Sequence, residues 1–208
     1  TILLVVLASS VLILFAFISN FGNRVTKNKF LNFLTTFSVC GYAIPGVILA
    51  VAYISFVSWF DNNFISFFEI KSIKSIFIGS IVGLVLVYFV RFYSLASNGI
   101  KSGYLKINYS IDESSYLLGY SKLKTFLNIH VPYLKNSVLL IGILIAIEII
   151  KELPITLILR PFNFETFATQ AYIFASQDLL EAAAAPSLFL IIIASLFILT
   201  TYRYILKD

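Results

Sequence analysis

Three ionisable residues stand in a stretch that is otherwise oil. Glu148, Lys151 and Glu152 fall in "IEIIKELP" at the end of a long apolar run. A charge at membrane depth is costly, so such residues pair with one another or face a water-filled path. Glu148 and Glu152 are spaced i,i+4, and Lys151 follows Glu148 by three, so all three are within reach on a helix. Two readings stay open. One is a local Glu148–Lys151 ion pair, and the other is a wall of a path for a polar or charged solute. Pro154 lies just beyond and kinks the outer end of the span. Arg160 and Pro161 then anchor it at the interface.

A second set lies in "SIDESSYLLGYSKLKTFLNIHVP", Ser110 to Pro132, a polar island between apolar runs. Ser110-x-x-Glu113 fits a capping box, which predicts a short helix over Ile111–Leu118. Glu113 also suits the positive end of the helix dipole. Gly119 supplies a left-handed residue to end that helix, and Ser121 caps the next. Leu123, Phe126, Leu127 and His130 follow at i, i+3, i+4 and i+7, one helical face. Pro132 opens the following span. The predicted product is a helix–turn–helix bracket with an apolar face. That face either lies on the membrane surface or fits a groove on another protein.

Other chemistry finds no support. His130 is the sole histidine and reads as an interface residue, so no metal site is expected. Cys40 is the sole cysteine and reads as a buried packing thiol. The 12 tyrosines form no recognisable ferric set. No P-loop motif appears, so the chain is not expected to bind ATP that way. Neither H-E-x-x-H nor G-x-S-x-G occurs, so hydrolase chemistry is unsupported. No cofactor is implied.

The elements that must position these residues are membrane spans. Of 208 residues 60% are hydrophobic and 12% charged, with a mean hydropathy of +0.96. A soluble domain carries roughly twice that charged fraction. Five helical spans are predicted, at about 2–18, 33–60, 73–95, 138–159 and 186–206, each near or above the roughly 20 residues that cross a bilayer. The fold class is all-α and polytopic. "GYAIPG", Gly41 to Gly46, predicts a kink at Pro45 and Gly46 in the second span. Gly79-x-x-x-Gly83 predicts close helix approach in the third. Glu181 and the four alanines after it read as the helix start before the fifth span.

The net charge of +5 matters less than its distribution, and no nucleic-acid partner is expected. Arg24, Lys27, Lys29, Lys101, Lys106, Lys122, Lys124, Lys135, Arg203 and Lys207 occupy one set of connections. The other set holds Asp61, Glu69, Lys71, Lys74, Arg160, Glu165, Asp178 and Glu181. The positive-inside rule makes the first set cytoplasmic, with Thr1 outside and Asp208 inside.

The island's pattern of Glu113, five residues, Gly119, nine residues, Ile129, one residue, Val131-Pro132 resembles the EAA loop of permease subunits in binding-protein-dependent ABC importers. Ser114 and Ser115 stand where the family has two alanines, and Val131 where it usually has leucine. Five helices with this loop before the fourth resemble the MetI-like arrangement, and the likeness covers essentially the whole chain. "GYAIPG" and "KELPITLILRPF" resemble the ferric-iron branch, which usually fuses two permease halves. The resemblance therefore implies one transmembrane permease domain over residues 1–208, expected to be the second half of a longer fusion. It implies a bacterial inner-membrane location and ferric iron as cargo, with thiamine, polyamine or another small solute as alternatives in the class. A secondary transporter or membrane scaffold is the alternative outside it. It implies three protein partners: a cytoplasmic ATPase that alone hydrolyses ATP, a periplasmic solute-binding protein and a second permease half. Glu113, Ser114, Ser115, Gly119, Phe126, Ile129 and Pro132 fall in the implied ATPase-coupling loop. Pro45, Gly46, Glu148, Lys151, Glu152 and Pro154 are the candidates for a path or gate.

Overall fold

A computed structural model describes residues 1–26, 29–65 and 77–205, and among them there is no strand. Lys27, Glu69, Lys71, Lys74 and Lys207, and the predicted span ends at 73 and 206, lie outside the described residues. The helices are α1 (Ile2–Thr26), α2 (Lys29–Phe37), α3 (Gly46–Phe60) and α4 (Ile81–Tyr104). Next come α5 (Tyr109–Leu117), α6 (Lys122–Ile150) and α7 (Pro154–Leu159). The last two are α8 (Phe167–Ser176) and α9 (Leu180–Ile205). Four of these, α1, α4, α6 and α9, are long and apolar enough to cross a membrane. A fifth crossing exists if the bent pair Asn32–Ala43 and Gly46–Asn63 counts as one. The chain is thus an all-α polytopic membrane protein.

The core runs along the packed faces of α1, α4 and α6. Leu4, Leu12, Leu84, Tyr88, Phe92, Ile100, Leu134 and Ile145 are almost fully enclosed there. Many large apolar side chains on α1, α3 and α9 stay exposed, among them Leu3, Phe15, Ile48, Phe56, Ile191 and Leu196. A soluble chain would leave such patches uncovered only at an interface, and here lipid is the natural solvent for them.

Glycine permits two close approaches. Along α4, a Cβ on Gly99 would meet the Ile141 side chain at 2.5 Å, and one on Gly103 would meet Leu134 at 2.8 Å. The small-residue pair that lets α4 and α6 close is therefore Gly99-x-x-x-Gly103. The pair expected from sequence, Gly79 and Gly83, does not act that way. Gly79 lies before the helix at φ +68°, so the pair is not on one helix; Gly83 alone is approached, by the Phe77 carbonyl and by the Tyr53 hydroxyl of α3. Ser80 caps α4 by accepting from the Gly83 amide. The third span thus starts later than predicted and runs on to Tyr104, because Gly79 and Ser80 terminate it on one side and no breaker stops it on the other.

The second span is bent by 115°. Pro45 adopts φ −56°, ψ 137°, extended backbone that no helix continues through. Cys40 proves exposed, correcting the expected buried thiol; the segment around it turns its other side inward, where Gly41 packs on the Val90 carbonyl. Pro132 sits inside a continuous helix. Its missing N–H is accommodated by a π turn over Phe126–His130 just before it.

Candidate functional site

The polar island folds as a helix pair at one end of the bundle. Its cap differs from expectation. Asn108, not Ser110, is the N-cap of α5, and its side chain accepts from the Ser110 amide at 3.3 Å. Ser110 is already inside the helix, so Glu113 has no cap to close and stands exposed without a hydrogen bond or ion pair. The turn is as predicted. Gly119 adopts φ +81°, its amide donates to the Tyr116 carbonyl, and the Tyr120 amide donates to the Ser115 carbonyl. That paired pattern is a Schellman motif, and the left-handed residue it needs is glycine. Ser121 then caps α6 by accepting from the Lys124 amide.

What holds the pair to the bundle is a residue the sequence reading passed over. Asp112 is buried, beside the exposed Glu113. Its Oδ2 accepts from Arg24 Nε at 2.7 Å, and its Oδ1 lies 2.8 Å from His130 Nε2. A carboxylate only accepts, so the bonded tautomer carries its proton on Nε2. Nδ1 then faces the Tyr104 hydroxyl at 3.4 Å. Arg24 also donates to the carbonyls of Ile107 at 2.9 Å, Asn108 at 3.2 Å and Tyr104 at 3.3 Å, and it lies 4.3 Å from the Tyr109 ring centroid. Two arms, Arg24 from α1 and His130 from α6, thus converge on one carboxylate of α5, and Tyr104 of α4 backs the histidine.

His130 corrects the expectation of an outward interface residue. It is fully enclosed, edge-on to Phe21 and Tyr104. Phe126 turns inward with it, packing on Phe17 and Phe21. Leu123 and Leu127 remain 64% and 54% exposed, so the predicted single face is split by the π turn. Ser115 is buried, donating to the Asp112 carbonyl and bonded to Thr125 at 2.8 Å, which ties α5 to α6. Ser114 is exposed and Ile129 half-buried along a shallow cleft between the two helices. Pro132 is exposed. The outer surface of the pair presents Leu117 at 89% and Leu118 at 78% exposure. Burial beside Asp112 raises the Tyr116 phenol above its ordinary value, so it stays neutral.

The second candidate region lies at membrane depth. Glu148 and Lys151 form a local pair at 2.6 Å, the first of the two readings given above. Glu152 parts from them. Helix α6 ends at Ile150, and the break before Pro154 turns Glu152 inward. There its Oε1 caps α7 by accepting from the Ile155 amide at 3.3 Å, and its Oε2 lies 3.4 Å from Arg91 Nε. The proximity does not make a hydrogen bond, and Arg91 Nε stays without one. Arg91 Nη1 donates instead to the Ile44 carbonyl at 2.8 Å, the group freed by the break at Pro45. Gly46 completes the site, since a Cβ there would meet Glu152 Oε1 at 2.8 Å. Tyr88 and Thr156 are hydrogen-bonded beside it. Gly46 and Glu152 therefore gather around Arg91 beside the breaks at Pro45 and Pro154, while Glu148 and Lys151 form their own pair. Arg91 was visible as a lone cation within an apolar span. Among the described residues no cluster suited to a metal ion occurs.

No protein-family model and no curated protein matches the chain. Two solved structures share its fold. A bacterial ABC transporter involved in the import of the acidic polysaccharide alginate aligns with 96% of this chain and 76% of its own, at 15% identity and a TM-score of 0.72. A bacterial alginate ABC transporter in complex with an alginate pentasaccharide-bound periplasmic protein aligns with 95% and 74%, at 15% identity and a TM-score of 0.71. At that identity the likeness is one of fold.

Proposed function

We propose that this chain is the membrane-spanning subunit of an ABC importer, with residues 109–130 as the element that a separate cytoplasmic ATPase grips. The observation that carries this reading is the rigid helix pair. Its back is locked through Asp112 to Arg24 of α1 and His130 of α6, with Arg24 also holding the end of α4, and its front offers Leu117, Leu118 and Leu123 to a partner. A segment held that way moves as one body with the spans, which is what a mechanical connector requires. The fold likeness supports the same class. In this reading ATP hydrolysis belongs to the ATPase, cargo arrives on a periplasmic binding protein, and a second permease half completes the pathway in the inner membrane.

The cargo assigned is ferric iron. Its support is the sequence resemblance of "GYAIPG" and the run from Lys151 to Pro186 to the ferric branch. The Arg91–Glu152 region, where two broken spans meet, is the proposed gate.

The test is ATP hydrolysis by the reconstituted full transporter in liposomes, with ferric-loaded or empty binding protein, in wild type and Gly119→Asp. No atom lies within 4 Å of a Cβ at Gly119, so the aspartate meets no clash within this chain; the left-handed backbone costs about 1–2 kcal/mol, and the added charge faces the partner. Stimulation by the loaded form that vanishes in Gly119→Asp is expected. Wild-type uptake in the variant removes the coupling role. Normal hydrolysis indifferent to iron removes the cargo, and thiamine and polyamines are then assayed.

A further inference from the structure

A cavity of about 640 Å³ opens where α1 and α4 end and α2 begins, its polar side lined by Asn20, Asn23, Arg24, Asn32, Lys101 and Lys106. Among the described residues no acidic side chain lines it. Arg24 is neutralised by Asp112, whereas Lys101 and Lys106 have no ion-pair partner among the described residues. The cavity is therefore net positive and open to an anion. Asn23 adds a second demand. Its Nδ2 donates to Thr35, but its Oδ1 is buried with no hydrogen-bond partner. An acceptor left unbonded in a buried position is costly, so it calls for a donor.

The surroundings say where the ligand comes from. Phe30, Phe33, Leu34 and Phe37 recur at i, i+3, i+4 and i+7 along α2, and all four are exposed. That stripe suits the acyl side of a membrane interface, and Asn32 of the same helix lines the cavity. Basic pockets between membrane helices hold acidic lipid headgroups. We propose that this cavity binds the headgroup of an anionic phospholipid, with Lys101 and Lys106 on the phosphate. The occupant bridges α1, α2 and α4 next to the joint that Arg24 secures. This inference does not depend on the transport reading.

The test is native mass spectrometry of the purified full chain in detergent, titrated with phosphatidylglycerol, phosphatidic acid or phosphatidylcholine. Phosphatidylglycerol is expected to bind in preference to phosphatidylcholine. Lys101→Gln with Lys106→Gln should weaken it roughly thirtyfold, the worth of two basic contacts. Lys122→Gln with Lys124→Gln, the same charge change outside the cavity, should leave it unchanged. If the double variant does not elute as a single species, Lys106→Gln alone carries the test, because Lys106 lies in a turn. Equal binding of charged and zwitterionic lipid overturns the site. An equal loss in the Lys122/Lys124 variant overturns it in favour of diffuse charge. Displacement by inorganic phosphate at the same concentration overturns the lipid assignment in favour of a soluble anion.

Discussion

Two buried carboxylates, each set against an arginine, anchor the two ends of this molecule's working parts, and they are built differently. Asp112 is gripped by Arg24 at 2.7 Å and His130 at 2.8 Å. Glu152 meets Arg91 only at 3.4 Å, and the best hydrogen bond of that arginine goes to the Ile44 carbonyl. The first arrangement satisfies its groups fully and favours one geometry. The second leaves Arg91 Nε without a hydrogen bond and divides its partners between two helix breaks. A saturated clamp suits a part that must transmit motion, and a half-satisfied pair suits a part that must exchange contacts.

Substitutions test that contrast, and the largest effect is expected at the clamp. Asp112→Ala leaves Arg24 buried without its anion, a loss of about 3–5 kcal/mol. Thermal unfolding in detergent, followed by circular dichroism, reads it. An unchanged melting temperature breaks the comparison at its stronger end. Glu152→Gln keeps the shape and the Ile155 cap but removes the charge, and about 1–3 kcal/mol is expected. A cost equal to that of Asp112→Ala makes the two sites equivalent and ends the contrast.

Smaller effects sharpen it. Gly119→Ala places a Cβ in open space at φ +81°, so only the left-handed backbone costs, at about 1–2 kcal/mol. Gly119→Asn should lose less, since asparagine visits that conformation. Equal losses in the two variants point to a side-chain clash in place of backbone strain. Smallest of all is Glu148→Gln. Its pair with Lys151 is local and Lys151 is 60% exposed, so a change within about 1 kcal/mol is expected. A larger drop in transport than in stability assigns Glu148 to the solute path after all.

Much of the outward helix pair was legible because its signals are local. Gly119 ends a helix by its own backbone preference, and Ser121 caps by reaching three residues on. Neither needs a distant partner. The same logic failed at Ser110, because Asn108 is itself extended and its side chain takes the Ser110 amide, which starts the helix two residues earlier. It failed at Gly79 for a related reason. A small-residue pair promotes packing only if both members are helical, and Gly79 is left-handed. Glu113 drew attention by motif and Asp112 did not, although Asp112 holds the bonds. Their roles differ by one 100° step around α5, which no spacing argument resolves without knowing where α1 lies.

The sequence by itself determined the solvent and the units. Apolar run length requires membrane helices, because lipid leaves the backbone no other partners. Proline at 45 and 154 favours breaks, because each lacks the donor a helix needs, although Pro132 and Pro186 are absorbed within continuous helices. Glycine at 119 dictates a reversal. Tertiary structure alone decided which charges meet. Arg24 and Asp112 are 88 residues apart and Arg91 and Glu152 are 61 apart. Their pairing depends on how α1, α4 and α6 close on Gly99 and Gly103 and on how two broken spans face each other. Electrostatic partnership is a property of distance in space, and chain spacing fixes that distance only within a single turn of helix.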